Sequence, residues 1–270
     1  MTRLRQRPVH VSWTPRECLI RLGVWAALAL VPGAAMARTV DEAITAGDQH
    51  YAAARLEDAR HAYEEALQAA PGNVTVLCRL SHAESELGET QKGDVQRRTW
   101  AGAVAHARDA VRAAPDSAGP HVWLAVALGR QALREGPRTK LALSKEIKSE
   151  VDRALALDAN IGRAWHVLAV WNMKVSSLNA IERMAANAVL GGVPKGASYE
   201  NAAAAFEKAI ALEPNYVNHR VEYGRLLIMQ HKKPDARREL AKAIALPATS
   251  SALDARYQAD ARELLEKLPR

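Results

Sequence analysis

Five stretches of the chain repeat one helical pattern, and that repeat restricts the possible folds more than any other feature. In AAAAFEKAIALEPNY, Ala202, Phe206, Ala209 and Pro214 follow one another at intervals of four, three and five residues. ARHAYEEALQAAPGN places Ala59, Tyr63, Ala66 and Pro71 at the same offsets, and AVAHARDAVRAAPDS places Ala103, Ala107, Ala110 and Pro115 there. Weaker copies hold Ile147, Val151, Ala154 and Ala159, and Ala236, Leu240 and Ala243. Side chains so spaced share one face of an α-helix. The small residues mark where a neighbouring helix comes close, and the proline ends the unit.

Each closing position is followed by a helix of a second kind. GRAWHVLAVWNMK, from Gly162, sets Trp165, Leu168 and Ala169 in the order large, large, small. Tyr223 and Gly224 fill the last two of those places in VNHRVEYGRLLIMQ, and Gly47 stands at the corresponding small position near the front. Two helices per unit, locked through small residues, resemble the tetratricopeptide repeat, whose unit is 34 residues long. The closing positions, 71, 115, 159, 214 and about 248, are 44, 44, 55 and 34 apart. The longer units therefore carry insertions of 10, 10 and 21 residues. ALDARYQADARELLEKL puts Leu253, Tyr257, Ala261, Leu264, Leu265 and Leu268 on one side, which predicts a C-terminal capping helix over about 251–268. The expected fold is an all-α, tetratricopeptide-type right-handed helical solenoid with that cap.

A narrower resemblance appears in residues 100–268. The His-x-Trp helix with His121 and Trp123, the inserted helix with Glu182 and Arg183, and the Gly/Pro loop leading into Ser198-Tyr199-Glu200 resemble the regulator of microtubule dynamics family. The resemblance implies architecture. A microtubule function is not carried over, because the start of the chain does not suit a cytoplasmic setting.

That start is basic and then apolar. Arg3, Arg5, Arg7, Arg16 and Arg21 precede LGVWAALALVPGAAMA, which ends in the small-x-small pattern Ala35-Met36-Ala37. The expectation is a secretory signal peptide cleaved after Ala37, leaving residues 38–270 periplasmic or secreted. The apolar run holds Pro32 and Gly33 and falls short of the roughly 20 residues of a spanning helix, so the mature domain is not expected to span a membrane. A retained anchor, a mitochondrial presequence and a start codon placed too early are the alternatives. The 37 Lys and Arg of the whole chain against 30 Asp and Glu give +7. Residues 1–37 hold five of the former and one of the latter, so the remainder carries 32 against 29, a net of +3. With no basic run interleaved with aromatics, nucleic acid is not an expected partner. Cys78, alone in the mature part, reads as a small hydrophobe.

Catalytic and cofactor signatures are missing. GGVPKGAS at 191–198 lacks the Gly-Lys-Ser/Thr order of a phosphate loop. The eight histidines of the mature part form no His-x-x-x-His pair that would set two metal ligands on one helical face. Glu84 and Glu86 read as ordinary helix-surface carboxylates. No enzyme activity, cofactor or metal is expected.

In a solenoid the first helices of successive units line the concave face. Counting back from the closing positions assigns to it His82 and Glu86; Val122, Val126 and Arg130; Arg163, His166, Val170, Met173 and Lys174; and Asn218, Val221, Arg225, Ile228 and Met229. Of these, Arg130, Arg163, His166, Met173, Lys174, Asn218, Arg225 and Met229 are the candidate partner-binding residues. The basic and amide groups suit a carboxylate or phosphate of a protein or peptide partner, whereas Val122, Val126, Val170, Met173, Val221 and Ile228 suit a lipid or other apolar molecule in a channel. Between these readings, a binding scaffold that holds a polypeptide in the groove is preferred, and a lipid carrier is the alternative. A third arrangement has the inserted segments folding over the groove and turning its apolar residues into core; Trp165 and Trp171 read as packing.

Overall fold

The computed structural model describes residues 39–190, 192 and 195–269. The expected signal peptide, 1–37, lies outside them. The described residues form twelve α-helices. Helices α1 (Val40–Ala52) and α2 (Leu56–Ala69) make the first antiparallel pair, α3 (Val74–Thr90) and α4 (Gly93–Ala113) the second, and α5 (Ala118–Ala132) and α6 (Pro137–Leu157) the third. The fourth pair is α7 (Gly162–Ser176) with α9 (Tyr199–Leu212), and the fifth is α10 (Val217–Met229) with α11 (Lys233–Ala245). Two helices stand outside the pairs: α8 (Ala180–Leu190), inserted between α7 and α9, and α12 (Asp254–Lys267) at the end.

The helices begin where the sequence supplies partners for their free N–H groups. Thr39 and Glu42 cap α1 reciprocally; Asn73 Oδ1 accepts from the Val76 N–H and Ser198 Oγ from that of Asn201; Pro137 and Pro234 stand in the first turns of α6 and α11. Insertions are absorbed in two ways. The second and third units lengthen α4 and α6 to 21 residues each, while the fourth inserts α8 beside α6. Glu182 and Arg183 hold that insert in place: Asn179 and Glu182 cap α8 reciprocally, and Arg183 donates to the carbonyls of Val175, Ser176 and Leu178.

The repeated residues are the core. Ala59, Ala66, Ala103, Ala107, Ala110, Val151, Ala154, Ala202, Phe206, Ala209, Ala236, Leu240 and Ala243 are completely buried. The expected small positions of the first helices also face the large residue of their partner, Gly47 against Tyr63 and Gly224 against Leu240. At Gly88 of α3 the approach is closer still, because a β-carbon would stand 2.2 Å from Trp100 Nε1 on α4. That indole donates to the Ser85 carbonyl at 3.1 Å and cannot swing away without losing the bond.

The last helix does more than cap the stack. Leu253, Tyr257, Ala261 and Leu268 are buried as the pattern predicts, against α10 and α11. Yet the same cluster takes in Leu56 of α2 and Leu87 of α3, from the opposite end of the stack. Residues 246–253 and the start of α12 thus turn back as a strap across the concave side. The expected closure of the groove is present, but the C-terminal segment makes it and the insertions do not.

Candidate functional site

Among the first helices a pocket of about 40 Å³ remains, room for a few water molecules. It is lined from α3 by His82, Ser85 and Glu86, from α5 by Trp123, Val126 and Arg130, from α7 by Arg163, His166 and Val167, and from the α10 start by Tyr216 and Asn218. Residues three or four apart on each helix reach it together, which is the geometry of first helices stacked side by side.

Glu86 is the centre of the polar network. It is 4% exposed, and its two oxygens receive the Ser251 hydroxyl at 2.8 Å and the Tyr51 hydroxyl at 2.8 Å, with His82 Nε2 at 3.2 Å. Burial opposes its ionisation, but the hydrogen bonds from His82, Ser251 and Tyr51 outweigh that and hold its carboxyl at about 2. His82 also stacks on Trp123, with ring centroids 4.0 Å apart. The surface role expected for Glu84 and Glu86 is therefore wrong for both. Glu84 is 5% exposed and bonded to His106 at 2.8 Å.

The two arginines are held from behind. Arg130 pairs with Glu89 and reaches the Tyr257 hydroxyl at 3.4 Å. Arg163 donates to Glu213 at 3.0 Å and to the Ser250 carbonyl at 3.4 Å, and lies over the Tyr216 ring at 3.6 Å from its centroid. Their charges are thus opposed within the site by Glu86, Glu89 and Glu213. An anionic ligand gains little from them, and the free hydrogen-bonding capacity lies elsewhere. Asn218 is 5% exposed, lines the pocket and finds no side-chain partner among the described residues. Buried Ser85 Oγ is likewise unpartnered there.

Of the eight candidates, the pocket gathers Arg130, Arg163, His166 and Asn218. Met173, 1% exposed, packs in the core beside Phe206 and Leu226; Val122 and Val221 are also core. Lys174 is exposed, as is Met229 at 40%. Arg225 pairs with Glu222 at 3.1 Å and Asp260 at 3.4 Å, a bond to α12. Trp171 is buried and donates to Ser144, whereas Trp165 is half-buried and donates to the Ala159 carbonyl. Cys78 is partly buried, and burial pushes its thiol up to about 11. Sequence reasoning missed Tyr51, Ser85, Trp123, Tyr216 and Ser251. Only Trp123 carried a signal, its place in the His-x-Trp helix. His121 of that motif fixes the helix, its ring nitrogens meeting Glu150 at 2.6 Å and the Pro115 carbonyl at 2.8 Å.

Three histidines set a pH dependence. His166 Nδ1 lies 3.0 Å from His219 Nδ1. Burial keeps His166 neutral well below its usual range, assisted by His219, Arg163 and Arg130; burial also lowers His219 and His82 against opposition from Glu213 and Glu86 respectively. These rings are neutral in the folded chain but protonate in the unfolded one, so stability is lost as pH falls below about 6.5. His106 acts in the opposite sense, because the Glu84 bond and charge raise it despite burial. With three against one, the melting temperature is expected to fall between pH 7.5 and 5.5, with a shallower slope in His166→Gln. A flat or rising profile would contradict the assignment.

Comparison with known proteins gives the same architecture. A family model described as regulator of microtubule dynamics protein 1-3 matches residues 37–269, so the likeness extends over the first two units as well as 100–268. Regulator of microtubule dynamics protein 3 of Bos taurus is 30% identical over 194 residues, which is 70% of this chain and 40% of that protein. Regulator of microtubule dynamics protein 1 of Caenorhabditis elegans is 27% identical over 191 residues, 71% of this chain and 82% of that protein. The chain thus spans about two fifths of the first relative's length and four fifths of the second's. Among solved structures it is similar to a thermophilic TPR protein in Thermus thermophilus, with a TM-score of 0.60 at 19% identity, covering 82% of this chain and 98% of that one. The fold is therefore the tetratricopeptide-type helical solenoid.

Proposed function

From the premise that the chain belongs to the regulator of microtubule dynamics family, we propose that it is a non-catalytic interaction scaffold that reads a short polypeptide segment in its concave pocket. The observation that carries the reading is the Asn218 side chain. Its amide makes no bond to another described residue and stays open to the pocket. It also offers one donor face and one acceptor, the complement of a peptide unit. Trp123 beside it supplies a flat apolar wall, and the compensated arginines favour a neutral backbone over a free anion. Val122, Met173 and Val221 are committed to the core, so three of the six residues that would line an apolar channel are withheld from a cargo.

A selection of displayed random peptides on the purified chain tests the proposal. Selected peptides are expected to lose at least ten-fold in affinity for Asn218→Leu, a loss of about 1.4 kcal/mol. The melting temperature should hold, because the amide makes no bond to another described residue and the substitution keeps the side chain's volume. Peptides that bind Asn218→Leu as well as the native chain would overturn the pocket as the reading site.

A further inference from the structure

The concave face already holds a polypeptide, and it is the chain's own. Ser250 to Asp254 form a turn that Asp254 stabilises internally, its Oδ2 accepting the N–H groups of Ser250 at 2.7 Å and Ser251 at 2.9 Å. The turn needs no help from the groove to keep its shape. Its attachments to the pocket network are few. The Ser251 hydroxyl to Glu86 is a strong, charge-assisted bond at 2.8 Å. Arg163 to the Ser250 carbonyl at 3.4 Å and the Ala252 N–H to the Tyr51 hydroxyl at 3.5 Å are at the outer limit of hydrogen bonding, and the Ser250 hydroxyl donates to the Asn215 carbonyl at 3.1 Å outside the pocket lining. In the pocket, Asn218 and Ser85 Oγ go unpartnered among the described residues. The occupant makes one charge-assisted bond and leaves the Asn218 amide and Ser85 Oγ without a partner among the described residues.

Resting on the scaffold reading above, we propose that residues 250–254 are an exchangeable internal ligand of the concave face, seated on Glu86 at the pocket's edge and displaced by a partner segment of the same chemistry: a serine or threonine hydroxyl for Glu86, with a leucine two residues later. Leu253 marks the second requirement, buried at 4% exposure in the cluster that includes Leu56 and Leu87. Being tethered, the strap competes at high effective concentration, so a partner's apparent affinity is reduced by the fraction of molecules whose strap is away. Strap and partner share Glu86, which makes the exchange mutually exclusive.

A fluorescein-labelled peptide of residues 248–256 added to the full chain tests this by anisotropy. Ser251→Ala in the chain removes the strong bond of the strap and leaves Glu86 and Asn218 in place. The peptide is expected to bind Ser251→Ala at least ten-fold more tightly than the native chain, and a peptide with alanine in place of the residue-251 serine is expected not to compete. Equal affinity for the two chains, or no binding to either at about millimolar peptide, overturns the inference. Hydrogen exchange on the native chain gives the answer should Ser251→Ala fold poorly: added peptide should speed exchange of the 250–253 amides, and unchanged exchange overturns the proposal. The two readings fail separately. Displayed peptides that need Asn218 but bind native chain and Ser251→Ala alike would leave the scaffold standing and remove the exchangeable strap.

Discussion

Glu86→Ala is expected to lower the unfolding free energy by about 3 kcal/mol, the scale of breaking a buried, hydrogen-bonded charge. The carboxylate accepts from Tyr51 on α1 and Ser251 on the strap and meets His82 on its own helix, so its removal strands three polar groups at once. Each charged bond contributes roughly 1.5–3 kcal/mol, and some of the stranded groups will recover water. The pH dependence carries a sign that distinguishes this account. Because the Glu86 carboxyl is held at about 2, below its unfolded value, its contribution is present above about pH 4.5 and lost as pH falls towards 2. Glu86→Ala should therefore be most destabilising at neutral pH and approach the native chain in acid. Guanidinium melts at pH 7 and pH 3 measure it, and an equal deficit at both would contradict the network.

Gly88→Ala should destabilise by about 2 kcal/mol, although alanine is the better helix former by about 1 kcal/mol. The new β-carbon would sit 2.2 Å from Trp100 Nε1, and the ring behind it is 3% exposed and bonded to Ser85. Overpacking of this kind costs roughly 1–3 kcal/mol, to which a weakened indole bond adds. Gly129, in the last turn of α5, is the control. A β-carbon there meets nothing within 4 Å, so Gly129→Ala should stabilise by up to about 1 kcal/mol. Opposite signs for the same substitution on two first helices are what nested helix pairs require. Stabilisation by both would mean that α3 and α4 do not pack as described.

The architecture was legible because its code is local. Alanine at two offsets, a large residue between them and a proline after them decide where one helix nests on the next, and each copy lies within 15 residues of sequence. The destination of α12 was not legible for the complementary reason. Its apolar side is written plainly in Leu253, Tyr257 and Ala261, but an apolar side does not say which surface it will meet. Glu86 shows the same limit from the other end. Four residues after His82 and three before Glu89, it looks like any carboxylate on a long helix, and what buries it is Ser251, 165 positions later. The face of Arg130, Arg163, His166 and Asn218 followed correctly from counting within each unit. That the arginines would be opposed by Glu89 and Glu213 did not, because a count along one helix is blind to what stands behind it.

A double-mutant cycle between Glu86 and Ser251 tests the strap's seat in the concave face most directly. Unfolding free energies of the native chain, Glu86→Ala, Ser251→Ala and the double variant should give a coupling of about 1 kcal/mol or more, the range for residues in direct contact. A coupling within about 0.3 kcal/mol of zero, the behaviour of independent sites, would contradict the strap's seat on Glu86 and the closure of the concave face together.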